Sequence, residues 1–437
     1  MYHSVLRSGA QRQLKKIGQA DLVIGLPTYK NPENAACVTK IALAGAQEYY
    51  GGLRTVLVNA DAGRSAQTRQ AVRQQQPADW PAGRVVSGRY EGALGHGNAV
   101  AALLDAALAL DAKAIIILDS DTQTIAPAWI KGLAHLIFEN KADLVLPRYQ
   151  WSPLSPESPF SDLIVYPLFR ALWGRSVRHP AAPDFSLSPQ LAAALLDEDV
   201  WQTEVAAYGL PPWLATYAVL GRWRVVQSAL GEKRTVPLGP PTERHRLVKL
   251  TGTDLFRVQF QDVLSVMLRQ IYQGRAQWKE VDKFYSLSTL TEFVTETEST
   301  PVRERELAPL LDELALGWME YRLLWQAILT SENLTQLEAL AALPLDRFYF
   351  PSDLWARILY DFAVVFNKGD LDPVQVVNAL FPIYQGRLAA YWQEIAGLSL
   401  VGREGTIAAQ AVELEENRAY LKIRWHTYQP WLHNGKT

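Results

Sequence analysis

Cysteine is almost absent. Cys37 stands alone among 437 residues, which excludes an intrachain disulfide and any cysteine-built metal cluster. Its expected role is that of a small buried hydrophobe. Long apolar runs are also missing: nothing approaches the roughly 20 residues that a spanning helix needs. Met1–Ala20 is polar and basic with no apolar core, so no secretory signal is read there, and a cytoplasmic location is expected. Neither sign of charge dominates. Forty-three basic side chains face 45 acidic ones, for a net charge of −2. With no long basic run, electrostatics gives no reason to expect a nucleic-acid partner. What remains is an ordinary globular composition, 49% hydrophobic and 20% charged, in a chain long enough for two or three cores. The 14 tryptophans suit core and interface positions, although Trp also lines sugar sites.

From Asp21 onward, short apolar runs alternate with amphipathic segments. Strands are expected at Leu22–Leu26, Thr55–Val58, Arg84–Val86, Ala114–Leu118 and Asp143–Leu146. Helices are expected at Asn34–Tyr49, Ser65–Gln75, Asn98–Leu110 and Ala128–Phe138. Such β-then-α alternation argues for a parallel, doubly wound sheet, whose ligands sit beyond the carboxyl ends of the strands. Pro27, Asp61 and Asp119 fall at those ends. Trp151–Phe160 reads as a loop and Leu163–Leu172 as a helix. Trp201–Val219 reads as a helix that Pro211 and Pro212 should kink or split. Trp223–Val226 reads as a late strand, and Val236–Pro241 as part of a loop or hinge. Beyond about Thr251 apolar residues recur at helical spacing, as in Phe256, Phe260, Val263, Met267 and Ile271. Further helical stripes span 307–329, 334–343, 352–366, 373–381 and 383–395, with weak strand candidates near the C-terminus. The expected organisation is a lead segment over 1–20, an α/β domain over 21–250 and a mainly helical domain over 251–437. There is no fixed-period repeat.

The most informative stretch is Ala114–Asp121, a β-branched run that closes on Asp119-Ser120-Asp121. If strand alternation continues, residues i and i+2 point the same way, and the two acids converge on one hard cation. A divalent ion held by few carboxylates, with positions left for phosphate oxygens, suits a nucleotide substrate. The competing view is a strand-to-turn junction with solvated acids.

Taken in order, several segments resemble the GT-A-fold glycosyltransferases, family 2 and its relatives, and above all the glucosylglycerate and mannosylglycerate synthases. Gly25-Leu26-Pro27-Thr28-Tyr29 stands where that family has a strand followed by Pro-Thr-Tyr. Asn59–Ser65 stands at its Asp-Gly-rich turn, Gly95-His96-Gly97-Asn98-Ala99 at its Gly-Lys-Gly-Asn-Ala, and Asp119-Ser120-Asp121 at its metal motif. Tyr166-Pro167-Leu168, Gly174, Arg178-His179-Pro180, Asp184-Phe185 and Ser188 track its acceptor side. Trp201, Val205, Tyr208-Gly209, Trp213-Leu214 and Leu230-Gly231 continue it. The likeness covers roughly Asp21 to Thr235.

The resemblance implies a GT-A nucleotide-sugar domain, with a mostly parallel Rossmann-like sheet, ahead of an all-α domain. It implies retaining hexosyl transfer from a UDP- or GDP-hexose to a small hydroxylated, glycerate-like acceptor, dependent on Mg²⁺ or Mn²⁺. Asp119 and Asp121 would contact cation and ribose, with Ser120 between them. Pro27 and Tyr29 would wall the base and Asp61 would bond the base or ribose. Gly95 and His96 would approach the diphosphate, where His96 replaces a lysine with a weaker cation. Arg178, with His179, would bind an acceptor anion, and Asp184 would contact substrate. Each has a plainer role: Asp61 as a turn former, Tyr29 as core, the glycines as loop, Asp184 as a cap, Arg178 as a surface ion pair. Homodimerisation through the helical half is compatible with the likeness.

Four departures lie on the acceptor and metal-closing side. Ala182-Pro183 replaces Gly-Gly, Gly209-Leu210-Pro211 replaces Gly-Ile-Asp, and Trp151 replaces a basic residue. Arg234 follows Gly231-Glu232-Lys233 where a metal-binding histidine is usual. His245 is then the candidate third ligand, against a plain loop histidine, while Arg234 could neutralise the diphosphate itself. The alternative function is a catalytically impaired nucleotide-sugar binder or scaffold. A nucleotidyltransferase is disfavoured, because Leu26–Ala36 lacks a Gly-rich basic loop.

Overall fold

The structure, a computed structural model, describes residues 3–78, 80, 84–151, 157–235, 252–286, 289–290 and 304–430. It divides into two compact units, the first made of the described residues of 1–155, 177–263 and 286–293. Strands β1 (Leu22–Thr28), β2 (Thr55–Asp61), β3 (Val85–Arg89), β4 (Ala114–Ile117), β5 (Leu144–Trp151), β6 (Phe185–Leu187), β7 (Val225–Lys233) and β8 (Thr289–Leu290) form one sheet. Its order is β8-β7-β5-β6-β4-β1-β2-β3. Every pairing is parallel except those of β6, which runs antiparallel between β4 and β5. This is the mostly parallel α/β sheet expected. Only β6 and the short β8 were unforeseen, because three- and two-residue strands carry no readable period.

Alternation along the inner strands explains the two helical layers. Leu22, Ile24, Leu26, Leu57, Ile116 and Leu118 share a core with Val38, Ala42 and Leu43 of α2 (Pro32–Tyr50) and Ile130, Leu133 and Ile137 of α5 (Ala128–Phe138). On the opposite face Gly25 lies under Leu103 of α4 (His96–Ala109). Each fully buried Ile or Leu contributes about 1.5–3 kcal/mol, so this double burial fixes which strands are central.

The amino edge of the sheet is pinned twice in the same way. Asp21 accepts from the Arg54 backbone N–H at 2.9 Å and from its Nε at 3.1 Å. Asp143 accepts from the Arg224 N–H at 3.0 Å and its Nε at 2.8 Å. The acids just before β1 and β5 thus set the start of the neighbouring strands β2 and β7. The opposite, carboxyl edge is left for the site.

The lead segment is largely helical, α1 spanning Ser8–Ile17, and Leu6 bridges Tyr90 beyond β3. The helix expected over 201–219 is two pieces. A short 3₁₀ turn covers Glu204–Ala206, and a new helix runs Leu210–Leu220 with its prolines in the first turn, where the missing N–H costs nothing.

The second unit holds the described residues of 156–176, 264–285 and 294–437. Residues 156–176 therefore group with the helical half, and residues up to 263 with the sheet. A π-helical turn at Ser161–Val165 exposes the Leu163 carbonyl, which accepts from Trp355 Nε1 at 2.8 Å and Gln410 Nε2 at 3.1 Å. Pro373–Ile395 is one helix through Pro382. The weak C-terminal strand candidates are helices instead, Leu400–Glu416 and Arg418–Thr427. Ile407, Gln410, Ala411 and Leu414 are buried there, a 3.6-residue period that outweighs local β-propensity. Among the described residues no helix is long and apolar enough to cross a membrane.

Candidate functional site

Strand register brings the carboxyl ends of β1 and β2 level, while β4 stops opposite Gly25, three residues short of Thr28. Thr28 pairs with Asp61, and the Leu118 N–H bonds the Gly25 carbonyl just past β4 at 3.0 Å. Asp119, Ser120 and Asp121 follow outside the strand. Alternation therefore does not aim the two acids, and a turn does: Asp119 Oδ1 accepts the Asp121 N–H at 2.9 Å. Two asparagines at the start of α2 hold this turn. Asn31 Nδ2 lies 2.8 Å from both Ser120 Oγ and Asp121 Oδ1, and Asn34 Nδ2 donates to the Ser120 carbonyl at 2.6 Å. The far side is laced to the end of β7, where the Gln123 N–H meets the Arg234 carbonyl at 2.8 Å and Thr124 Oγ1 the Glu232 carbonyl at 2.6 Å.

Behind the turn sits a buried charge cluster. Lys233 is fully enclosed, and its Nζ lies 3.0 Å from Asp119 Oδ2 and 2.6 Å from Asp184 Oδ2, and donates to Thr122 Oγ1. An ammonium has three N–H donors, and all three are used. The rings of Tyr149 and Trp129 lie 5.3 and 5.8 Å from it. A β-bulge steers this lysine inward. Arg148 pairs with Ala229 but Tyr149 with Gly231, so Leu230 is the extra residue, and Gly231 takes φ +83°. That shift lets Leu230 and Lys233, three residues apart, both reach the core beside Trp129 and Tyr149.

Asp184 lies just before β6 and is wholly buried. It accepts the Asp119 N–H at 2.7 Å and the Tyr149 hydroxyl in addition to Lys233. Burial raises its pKa, Lys233 opposes the rise and the nearby charge of Asp119 adds to it; its three hydrogen-bond partners are all donors. Asp119 is likewise penalised by burial, but Lys233 holds it below the usual range. Burial also works against the Lys233 ammonium, and the two carboxylates outweigh it and push its pKa up. The Tyr149 phenol is driven well up by burial and by Asp184, so it remains a donor. Asp184 therefore does not reach an open site here; it braces Asp119 and Lys233.

Asp61 is also turned inward. Its carboxylate takes Thr28 Oγ1 at 3.2 Å, the Gly63 N–H at 3.0 Å and the Arg69 guanidinium, leaving it to shape the turn after β2. Pro27 is buried within β1, and Tyr29 is half-buried beside Lys30, whose ammonium lies 5.4 Å from its ring. Lys30 adopts φ +52°, a strained conformation for a non-glycine residue next to a candidate site.

Gly95 and Gly97 do make a close approach, but to this chain. A Cβ on Gly95 would lie 2.2 Å from the Ala206 carbonyl oxygen and one on Gly97 1.9 Å from that of Val205. The Gly97 N–H donates to the Ala207 carbonyl at 2.8 Å. His96 opens α4 between them. Burial pushes its pKa down while the charge of Asp119 pulls the other way, so the imidazole is neutral at pH 7 and not the weak cation anticipated.

On the acceptor side, Arg178 is nearly buried and its backbone N–H meets Gln227 Oε1 at 3.3 Å. His179 accepts the Tyr149 N–H on Nδ1 at 3.2 Å, and burial drives its pKa well down. It is a core residue. Arg234 is exposed and paired with Glu232 at 3.0 Å. His245 lies outside the described residues. Among the described residues no three His, Cys, Asp or Glu side chains are grouped to hold a metal. Cys37 is exposed rather than buried, as it falls on the outer face of α2. The structure thus gathers Asp119, Ser120, Asp121, Asp184 and His96, and leaves Asp61 tied into its own turn. Sequence reasoning missed Lys233, Tyr149, Thr122, Asn31, Asn34 and Arg69. Gly231-Glu232-Lys233 was the available signal for Lys233; the rest carried none.

No protein-family model matches the chain, and no curated protein does. Solved structures do. One is glucosyl-3-phosphoglycerate synthase from Mycobacterium tuberculosis with Mn²⁺, UDP and phosphoglyceric acid, 17% identical over 60% of this chain and 82% of that one, with a TM-score of 0.41. The same enzyme with Mg²⁺ and UDP is 17% identical over 62% and 85%, TM-score 0.41. A further mycobacterial protein is 15% identical over 68% and 88%, TM-score 0.40. The chain is similar to these structures.

Proposed function

We propose that the sheet unit is a nucleotide-sugar-dependent hexosyltransferase. One observation carries this reading: a rigidly braced Asp119-Ser120-Asp121 turn at the carboxyl edge of an α/β sheet, where ligands of such sheets bind. Asp121 is half-buried and oriented by Asn31, as a metal-ligating carboxylate is by its outer partners. Asp119 and Asp121 would hold a divalent cation, with diphosphate oxygens and water completing its shell. When bound, that cation supplies a positive charge that stabilises the departing diphosphate. Pro27 and Tyr29 would flank the base, and Arg234, exposed at the rim, would offer its guanidinium to a phosphate. The acceptor hydroxyl oxygen bonds the anomeric carbon as the bond from that carbon to the diphosphate oxygen breaks. The hydroxyl proton passes to the departing diphosphate oxygen. Asp184, already accepting three donors, is poorly placed to be a base, which favours this retaining course. The acceptor would be small and hydroxylated, a glycerate-like molecule being the leading candidate.

A second reading has one observation in its favour. Lys233 already occupies an oxygen of Asp119, which suits a nucleotide-sugar binder without turnover. Titration with UDP-glucose and GDP-glucose in the presence of Mn²⁺, followed by assay of nucleotide release, tests both. Metal-dependent binding with release supports the enzyme; saturable binding without release supports the binder. No binding of either sugar nucleotide refutes the proposal. Asp121→Ala should abolish metal-dependent binding and turnover together, and wild-type turnover in that variant would exclude the assigned metal role.

A further inference from the structure

Lys233 is not used by the chemistry above, yet it is a fully enclosed charge in the sheet unit. Three carboxylates, Asp119, Asp121 and Asp184, surround the turn, and this ammonium is enclosed against two of them. We propose that Lys233 is a built-in counter-cation, a positioning residue that occupies Asp119 and Asp184 so that a mobile cation binds only when a diphosphate arrives with it. The inference deepens the hexosyltransferase reading and rests on it.

The argument is one of charge and valence. Three carboxylates against one ammonium leave two negative charges, matched by one divalent ion. Without Lys233 the same residues carry three, and Asp119 Oδ2 keeps only the long 3.5 Å contact from Thr122 Oγ1. The bare site would then hold a cation strongly before any nucleotide is present. The bulge at Leu230-Gly231, with Gly231 at φ +83°, aims the lysine at this spot. The Tyr149 hydroxyl and the Asp119 N–H fix Asp184 on its other side. The ammonium also denies Asp119 its swing. With Oδ1 on the Asp121 N–H and Oδ2 on Lys233, the carboxylate is held in one orientation.

A merely structural lysine and a counter-cation differ in the sign of one measurement. Mn²⁺ binding to the whole protein, without nucleotide, is followed by the loss of the free-ion electron paramagnetic resonance signal. Lys233→Met should bind Mn²⁺ at least fivefold more tightly than wild type, while UDP-glucose turnover falls at least tenfold. A structural role predicts weaker Mn²⁺ binding, because the turn loosens. Equal or weaker binding by folded Lys233→Met overturns the inference. Lys233→Met leaves two buried carboxylates uncompensated and is at risk of not folding. Lys233→Met combined with Asp184→Asn restores two negative charges and still frees Asp119. It should bind Mn²⁺ at least as tightly as wild type, and weaker binding overturns the inference. Wild type that binds no Mn²⁺ even with UDP present would refute the metal-dependent reading, whereas wild-type binding without the Lys233→Met gain refutes this inference alone.

Discussion

Gly97→Ala separates two explanations for the Gly-His-Gly sequence before α4. If the glycines serve a phosphate, the variant folds normally and loses only nucleotide affinity. The structure assigns them to the 205–207 segment instead. The added methyl would lie 1.9 Å from the Val205 carbonyl oxygen, and 2.9 Å from both the carbonyl carbon and the Cα of Ala206. Real Cβ contacts essentially stop at 3.0 Å, and every one of these neighbours is backbone. The segment must therefore move by about 1 Å. Overpacking of this kind costs roughly 1–3 kcal/mol. The displaced Gly97 N–H to Ala207 bond, 2.8 Å long, adds about 1 kcal/mol. A helix interior gains up to about 1 kcal/mol from Gly→Ala, but Gly97 is in the first turn, where that gain is smallest. The net expectation is a loss of about 2–3 kcal/mol without any ligand. Urea unfolding, with the m-value checked for constancy, measures it. Gly9→Ala in α1, with nothing within 4 Å of the new methyl, is the control and should be neutral or stabilising. Ligand-free Gly97→Ala within about 0.5 kcal/mol of wild type would refute the packing argument.

Three further outcomes follow from the geometry. Asp21 and Asp143 are held below the usual carboxylate range, chiefly by hydrogen bonds from Arg54 and Arg224. Their contribution is present above the ordinary value of about 3.9 and is lost progressively as pH falls from there toward the lowered folded values, so Asp21→Asn with Asp143→Asn should flatten the decline in urea midpoint that begins below about pH 5; an unchanged slope contradicts the clamp. His96 and His179 have pKa values lowered by burial. Wild type should therefore lose stability as pH drops from about 6.5 toward 5, and the double variant His96→Gln, His179→Gln should lose less; a steeper decline would refute the assignment. Trp355→Phe removes one donor to the Leu163 carbonyl but leaves Gln410 bonded there, so a loss of about 1–2 kcal/mol is expected; a loss above about 4 kcal/mol would mean that the indole bond holds more than this one carbonyl.

The sheet was readable because its strands are buried on both faces. Leu22–Leu26 and Ala114–Leu118 are continuous apolar runs, as parallel strands with helices on both sides must be. The placement of Asp119 followed from that register. What escaped is whatever depends on irregular backbone or on partners distant in sequence. β6 has three residues, too few for a period, yet it delivers Asp184 to the back of the site. Lys233 was visible as part of Gly231-Glu232-Lys233, but alternation from Leu230 places it on the opposite face of the strand. The bulge reverses that, and a bulge in a parallel pair is rare. Glycine at 231 was the one hint, because it supplies the left-handed conformation that the reversal needs. The same inversion explains Asp61. As a lone acid after a strand it looks like a ligand, and Arg69, eight residues later, claims it. Burial separates the two acids: Asp61 is sealed with its guanidinium partner, while Asp121 is half-buried and held by Asn31.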